Sequence, residues 1–471
     1  TVTNGINDGG DIMATGARNE NGFVKEKVRS TDTGAEETII GNMGGVVGYL
    51  DGDNVYVTGS ANRGTVHSLD ITGDTVSEAS QASNTGGVVG KIDRSVTKTL
   101  SEIKNNIKNA AVSNSYNTGD VRGYMGVGGV VGMMYNGEVA SSYNLGSINT
   151  TRRAADADSD TAYPSVNMGG VVGDTTEQTT AKALIYDVYN KGQIGDETYN
   201  YYARHVGGVV GRLSGDVEKA YNTGAIYNGY NVVGGIAGWF YTGSINNSFN
   251  TGNITVINHD TTAGSQVGGI VGGVGLYSDT KGSTDSKISN AYNLGTIRSF
   301  AVKNGDGSYT TNQIGGIIGF IMGNSGHDLK VENVYTTGNL YAGRLNEGKN
   351  DNGLGSIIGV NGAGGDRVTV TNAYYISPQD NVFTDLTGTG QNNATGSKKF
   401  GDKWTGTEFN NGITNPDKTT GVVEDEKYAW RIYDGNTPIL NAFLPNAEKY
   451  FDQYQNKEDL NNAGINSIQY G

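Results

Sequence analysis

The stretch HVGGVVGRLSGDVEKAYNTGAIYNGYN, residues 205–231, holds three phrases in a fixed order. Gly-Gly-Val-Val-Gly comes first, then an aromatic followed by Asn, then Thr-Gly-x-Ile. The opening phrase starts at Gly44, Gly86, Gly128, Gly169, Gly207, Gly234, Gly268, Gly315 and, as GSIIG, Gly355. Its spacings are 42, 42, 41, 38, 27, 34, 47 and 40 residues. A constant unit with variable insertions explains such spacings, and the shortest one exposes the unit itself.

Aligning the nine copies produces ladders. The first apolar residue of the phrase is Val46, Val88, Val130, Val171, Val209, Ile236, Ile270, Ile317 or Ile357, each followed by a second apolar residue. Further along stand Val57, Val112, Val139, Ile185, Val217, Ile245, Ile288, Val331 and Val370. Four residues after these come Ala61 and then Tyr116, Tyr143, Tyr189, Tyr221, Phe249, Tyr292, Tyr335 and Tyr374. Asn follows at Asn62, Asn117, Asn144, Asn190, Asn222, Asn250 and Asn293, and gives way to Thr336 and Tyr375.

Short β-branched clusters punctuated by Gly and Asn read as strands joined by tight turns. Gly at this density would destabilise a helix. Three clusters in one unit make one turn of a three-sided coil, and a single turn cannot bury its own apolar face. The expected fold is therefore all-β, a parallel β-helix solenoid of about nine rungs. Its hand is expected to be right-handed, as strand crossovers nearly always are. Like residues should stack at roughly 4.8 Å per rung, giving a rod of about 43 Å. Stacked Asn side chains can bond along the axis. The aromatics share strand parity with the preceding Val, so they are expected to point inward; outward stacking is the alternative.

Residues 43–377 carry the repeat. Residues 1–42 are expected to form an N-terminal cap or first rung, and 378–471 a C-terminal cap or assembly region, since a solenoid end must be covered. That last region holds Trp404 and Trp430; the third Trp, Trp239, follows a GGIAG phrase and reads as packing. Within 91–111, Val96, Leu100, Ile103 and Ile107 have helical spacing and Thr99 with Glu102 fits a capping box, so a short helix should lie against the rod. The insertion 149–167 is polar and reads as a loop.

Composition narrows function. The chain has 75 Gly, 28 Tyr, 5 Pro and no Cys in 471 residues, which excludes collagen, a disulfide scaffold and thiolate metal sites. A net charge of −14 with no basic stripe argues against nucleic-acid binding. No apolar run is long enough to span a bilayer, so membrane insertion is not expected. The opening residues lack the pattern of a signal peptide.

His67, His205, His259 and His327 fall on different rungs or loops, and HExxH and GxSxG motifs are absent. No catalytic or cofactor-binding residue is assigned. Asp51, Asp53, Asp93, Asp174 and Asp216 follow GGVVG phrases and could line one edge, where paired carboxylates would suit polysaccharide cleavage; Asp is equally a turn residue. Asp156, Asp158 and Asp160 of DADSD alternate oxygen donors and are the candidate Ca²⁺ ligands, without the Gly and Glu that complete an EF-hand loop.

The alternation of GGVVG with SYNTGDV, AYNTGAI or SFNTGNI resembles the GLUG repeat of large bacterial surface proteins. These include filamentous-haemagglutinin-like adhesins and the stalks of immunoglobulin-A-cleaving zinc peptidases. AWRIYDGNTPILNAFL, residues 429–444, is similar to a segment that follows such repeats in haemagglutinin-type exported proteins. The resemblance implies a bacterial cell-surface or extracellular chain, most often an adhesin, and carries over no catalytic residue. The expected function is an adhesin or stalk whose insertion loops contact a host or neighbouring-cell glycan or surface protein. The alternatives are a subunit that polymerises with its own copies into a filament or layer, and a polysaccharide-acting enzyme.

Overall fold

The computed structural model describes residues 1–10, 12–13, 27–29, 36–38, 41–67, 84–150, 166–175, 182–197, 203–259, 263–277, 286–324, 328–345, 353–363, 367–377, 396–399, 404, 408–414, 428–432 and 437–443. The first eight rungs pass through the same three sets of parallel strands, and the ninth is described through the first two. One set ends on the first Gly of the phrase and contains nine strands, from Asn42–Gly44 to Leu354–Gly355, with Gly paired to Gly throughout. A second set begins on the second apolar residue and continues into the Val-to-Asn ladder. In early rungs these are separate pieces, and in the middle of the rod they fuse into Val210–Asn222 and Ala237–Asn250. The third set carries the Ile of Thr-Gly-x-Ile, linked across the rod by the bridges Ile148↔Ile194 and Ile194↔Ile226. The chain is a parallel β-helix.

Two apolar columns fill the coil. One contains the phrase residues Val88, Val130, Val171, Val209, Ile236, Ile270, Ile317 and Ile357 with the Val112-to-Val331 ladder, and Val46 packs against it. The other joins the first and third strand sets through residues such as Val127, Ile148, Val206 and Ile297. Between the two columns runs a polar one. Asn62, Asn117, Asn144, Asn190, Asn222, Asn250 and Asn293 are fully buried, and each donates from Nδ2 to Oδ1 of the next at 2.6–2.8 Å, as far as Asn293. The ladder weakens at Thr336, whose hydroxyl is 3.4 Å from Asn293.

These Asn side chains account for the second Gly of the phrase. A Cβ on Gly129 would lie 2.4 Å from Asn144, and one on Gly208 would lie 2.5 Å from Asn222. The same Asn donates to the carbonyl of the Gly two residues on, as Asn117 does to Gly119 of the Thr-Gly turn at 2.7 Å. The two distant phrases therefore form one cross-section of the rod. A buried amide with all its partners supplied costs little, whereas an unpartnered one is expensive.

The coil starts before the first phrase. Val2, Ile6 and Ile12 pair in parallel with Val57, Ala61 and Val66, so this part of 1–42 stacks as a further, partial rung on the rung of the first phrase. The helix in the first insertion spans Leu100–Asn105. Thr99 and Glu102 close the capping box in both directions, and buried Ile103 packs beside Ala140 and Leu184. It is shorter than the spacing implies at both ends: the extended N-cap Thr99 (ψ 156°) leaves Val96 outside and exposed, and Asn106, extended at φ −151°, puts Ile107 in a separate 3₁₀ turn.

Candidate interaction surface

The inward placement expected for Tyr116, Tyr143, Tyr189, Tyr221, Phe249, Tyr292 and Tyr335 is corrected by the structure. Midway between each ladder Val and its aromatic stands a residue with positive φ: Asn114 (48°), Ser141 (45°), Asp187 (56°), Lys219 (60°), Asn247 (47°), Asn290 (50°), Asn333 (53°) and Asn372 (50°). One left-handed residue breaks the two-residue alternation of a strand. Val188, Ala220, Ala291 and Val334, each just before the aromatic, take the inward place. The aromatic itself turns outward. A signal was present in the sequence, because five of these eight positions are Asn, the non-glycine residue best suited to that backbone region.

The outward aromatics form one continuous stack. Ring centroids from Tyr116 to Tyr335 are 4.8–5.2 Å apart and nearly coplanar in orientation, within 6°. Stacking consumes the ring faces, so the column offers ring edges and hydroxyls to whatever lies against it. Phe443 meets both Tyr221 and Phe249 at 82°, an edge-on contact.

The C-terminal segment covers the later half of this column. Trp404, Phe409, Trp430, Ile432 and Leu440 share a buried cluster with Phe249, Tyr292 and Tyr335. Tyr335 donates its hydroxyl to the Pro438 carbonyl at 3.1 Å. Asn290 Oδ1 accepts from Trp430 Nε1 at 3.1 Å and from Asn411 Nδ2 at 2.8 Å. Among the described residues of 378–471, those around Trp404, Trp430 and Phe443 lie along the flank, and Gly396–Lys399 adds a strand beside the last rung.

The earlier half is built differently. Tyr116, Tyr143 and Tyr189 are half-buried. Arg63 donates to the Tyr116 hydroxyl at 2.9 Å, and Lys191 lies 5.4 Å from the Tyr189 ring centre. The bend residues here satisfy one another, Ser141 donating to Asp187 at 3.0 Å and Lys219 pairing with Asp187 at 3.0 Å. Burial raises the pKa of Tyr189 and Tyr221, reinforced by the neighbouring tyrosine in the column.

The five carboxylates do not share a row. Asp51 and Asp93 are side by side in register, with Asp93 bonded to Tyr49 and paired with Lys91. Asp53 accepts from the Ser95 N–H. Asp174 stands in another row, held by Arg212 through both guanidinium nitrogens at 2.7–2.8 Å and by Asn167. Burial raises its pKa against the pull of Arg212. Asp216, in a third row, accepts from Ser244. A second buried ion pair, Arg94–Glu138 at 2.6 Å, anchors the helical insertion, with burial raising Glu138. His205 bonds Asn167 at 2.7 Å and is held neutral by burial and by Arg204 and Arg212; Trp239, buried beside it, is packing. Asp156, Asp158 and Asp160, and most of 149–167, lie outside the described residues.

No protein-family model, curated protein or solved structure matches the chain.

Proposed function

We propose that the chain is a bacterial cell-surface or secreted rod, an adhesin or stalk, that contacts a glycan or protein through its insertions. The placement of those insertions supports this reading. From ladder Val to Asn every rung spans five residues, and from Asn to the third-set apolar residue four, from Asn62–Val66 to Thr336–Leu340. All length variation falls at two corners: between the phrase strand and the Val ladder, and between the third set and the next phrase. A stiff coil thus displays its variable segments along two lines, the arrangement solenoids use for recognition. The GGVVG and YNTG residues that resemble GLUG repeats agree with it.

The test is binding to glycan and matrix-protein arrays by the full chain and by variants lacking 68–83 or 151–165, alongside immunogold labelling of producing cells. Deletions that abolish binding while β-structure persists support the proposal. Binding indifferent to both, or label confined to the cell interior, overturns it.

The flank position of the C-terminal segment favours a second reading, a filament of rods joined end to end, because strand edges pair readily with another chain. Electron microscopy at neutral pH separates the two. Fibres with an axial repeat near one rod length would make the chain a polymer subunit.

A further inference from the structure

The aromatic column is an unbroken path of ring contacts whose two ends sit in opposite surroundings. At one end Trp404 lies 5.4 Å from Tyr335, and Trp430 lies 5.7 Å from Tyr335 and 6.0 Å from Tyr292, all four buried. Phe409 stacks on both indoles. At the other end Tyr189, Tyr143 and Tyr116 are half-buried, and Arg63 donates to the Tyr116 hydroxyl oxygen. Between the ends, neighbouring ring centres are never more than 5.2 Å apart. One member of the column lacks a hydroxyl: Phe249, with Tyr221 at 5.0 Å on one side and Tyr292 at 4.8 Å on the other.

We propose that the column is a path for one-electron oxidation, carrying oxidising equivalents from buried Trp404 and Trp430 to the half-buried tyrosines. Electrons pass readily between π-systems in contact and far less readily through saturated side chains. A one-electron oxidant, such as a peroxyl or carbonate radical, takes an electron from Trp404 or Trp430 and leaves an indole radical cation. A charge in that apolar cluster is unfavourable. Electrons move along the column toward it, crossing Phe249 in one step from Tyr221 to Tyr292. The indole is restored, while Tyr189, Tyr143 or Tyr116 loses one electron, releases its hydroxyl proton to water and becomes a neutral tyrosyl radical. At neutral pH a phenol free to release its proton is oxidised more easily than an indole, so the exchange runs downhill. The release needs water, and the open half of the column supplies it. A thiol in solution then returns a hydrogen atom to the phenoxyl oxygen and restores the tyrosine. This inference stands independently of the adhesin reading.

The test ionises tryptophan in the full chain with a near-ultraviolet flash at the red edge of the indole band, where tyrosine does not absorb. Cobalt(III) hexaammine in solution takes up the ejected electron. Trp239, beside His205 and off the column, is removed by Trp239→Phe so that the flash acts on the cover alone. The indole radical should decay as the tyrosyl signal rises, at one rate independent of protein concentration. A spin trap followed by peptide mapping should then find adducts on Tyr189, Tyr143 or Tyr116. Phe249→Tyr adds a relay and should speed the transfer, whereas Phe249→Leu interrupts the rings and should slow it by an order of magnitude or more; circular dichroism verifies the fold of both. Indole radicals that decay with no tyrosyl rise overturn the proposal, as do rates indifferent to both substitutions in folded chains. With Trp404→Phe and Trp430→Phe in place and Trp239 kept, only Trp239 is ionised, and the column should carry few adducts. An equal yield there would show radicals travelling through solution, and would overturn it too.

Discussion

The rungs bearing Tyr292 and Tyr335 and those bearing Tyr143 and Tyr189 repeat one phrase and stack their rings at the same spacing. They differ at the bend residue. In the later rungs it is Asn290, Asn333 and Asn372, linked by side-chain hydrogen bonds and engaged by the C-terminal segment. In the earlier rungs it is Ser141, Asp187 and Lys219, which bond among themselves. The backbone demand is identical, a left-handed residue, but the side chain decides what the outer surface receives. The rod is thus one interior with two exteriors.

The largest effect should come from attacking what the halves share. Val209 is fully buried in the main apolar column, so Val209→Asp places an unpaired charge there and should cost several kcal/mol, felt by the whole rod. Circular dichroism would show loss of β-structure at lower temperature; an unchanged melting curve would mean the ladder is misplaced. Next comes the contrast between halves. Tyr292→Ala removes a fully buried ring under Trp430 and should cost about 3–5 kcal/mol. Tyr143→Ala removes a half-buried ring and its two stacking contacts, about 1–2 kcal/mol. Equal losses in denaturant titrations would erase the distinction.

Asn290→Gly sharpens the comparison further. Glycine keeps the positive φ, while the acceptor for Trp430 and Asn411 disappears. A cost of about 2 kcal/mol is expected, concentrated in the cover. Tryptophan fluorescence should report the cover loosening at lower denaturant than the β-signal; a single coincident transition would show that cover and coil unfold as one.

The coil was legible because its constraints recur. Steric exclusion beside Asn144 or Asn222 forces the Gly, stacking forces the Val, and both write themselves into the sequence at every turn. The ladder's end was legible too, since Thr336 and Tyr375 interrupt it where the bonding weakens. Parity from Val112 to Tyr116 points the aromatics inward only where Asn114 is ordinary strand, and it is not. One positive φ inverts that count, and the recurrent Asn was the available clue. The cover was harder to read. Trp404, Phe409, Trp430 and Phe443 occur once each, with no period to align them, and their partners are contributed by rungs more than a hundred residues earlier in some cases.

The smallest expected effect is an alkaline one, and it follows from the same column. Burial raises the pKa of Tyr189, Tyr221 and Tyr374 above the ordinary tyrosine value of about 10, with Glu408 adding to the effect at Tyr374. The folded chain therefore holds these protons more tightly than the unfolded one. Their contribution is fully present below pH about 10 and is lost as pH rises through the folded values. The slope is at most about 1.4 kcal/mol per tyrosine per pH unit, and less for the partly exposed Tyr189 and Tyr374. Melting temperatures taken from pH about 9 to about 11.5, with tyrosinate absorbance alongside, should fall only in the upper part of that range. Tyr221→Phe should flatten the fall, since phenylalanine already holds the next place in the column at Phe249 without a proton to lose. A fall of the same steepness in that variant would locate the alkaline sensitivity outside the column.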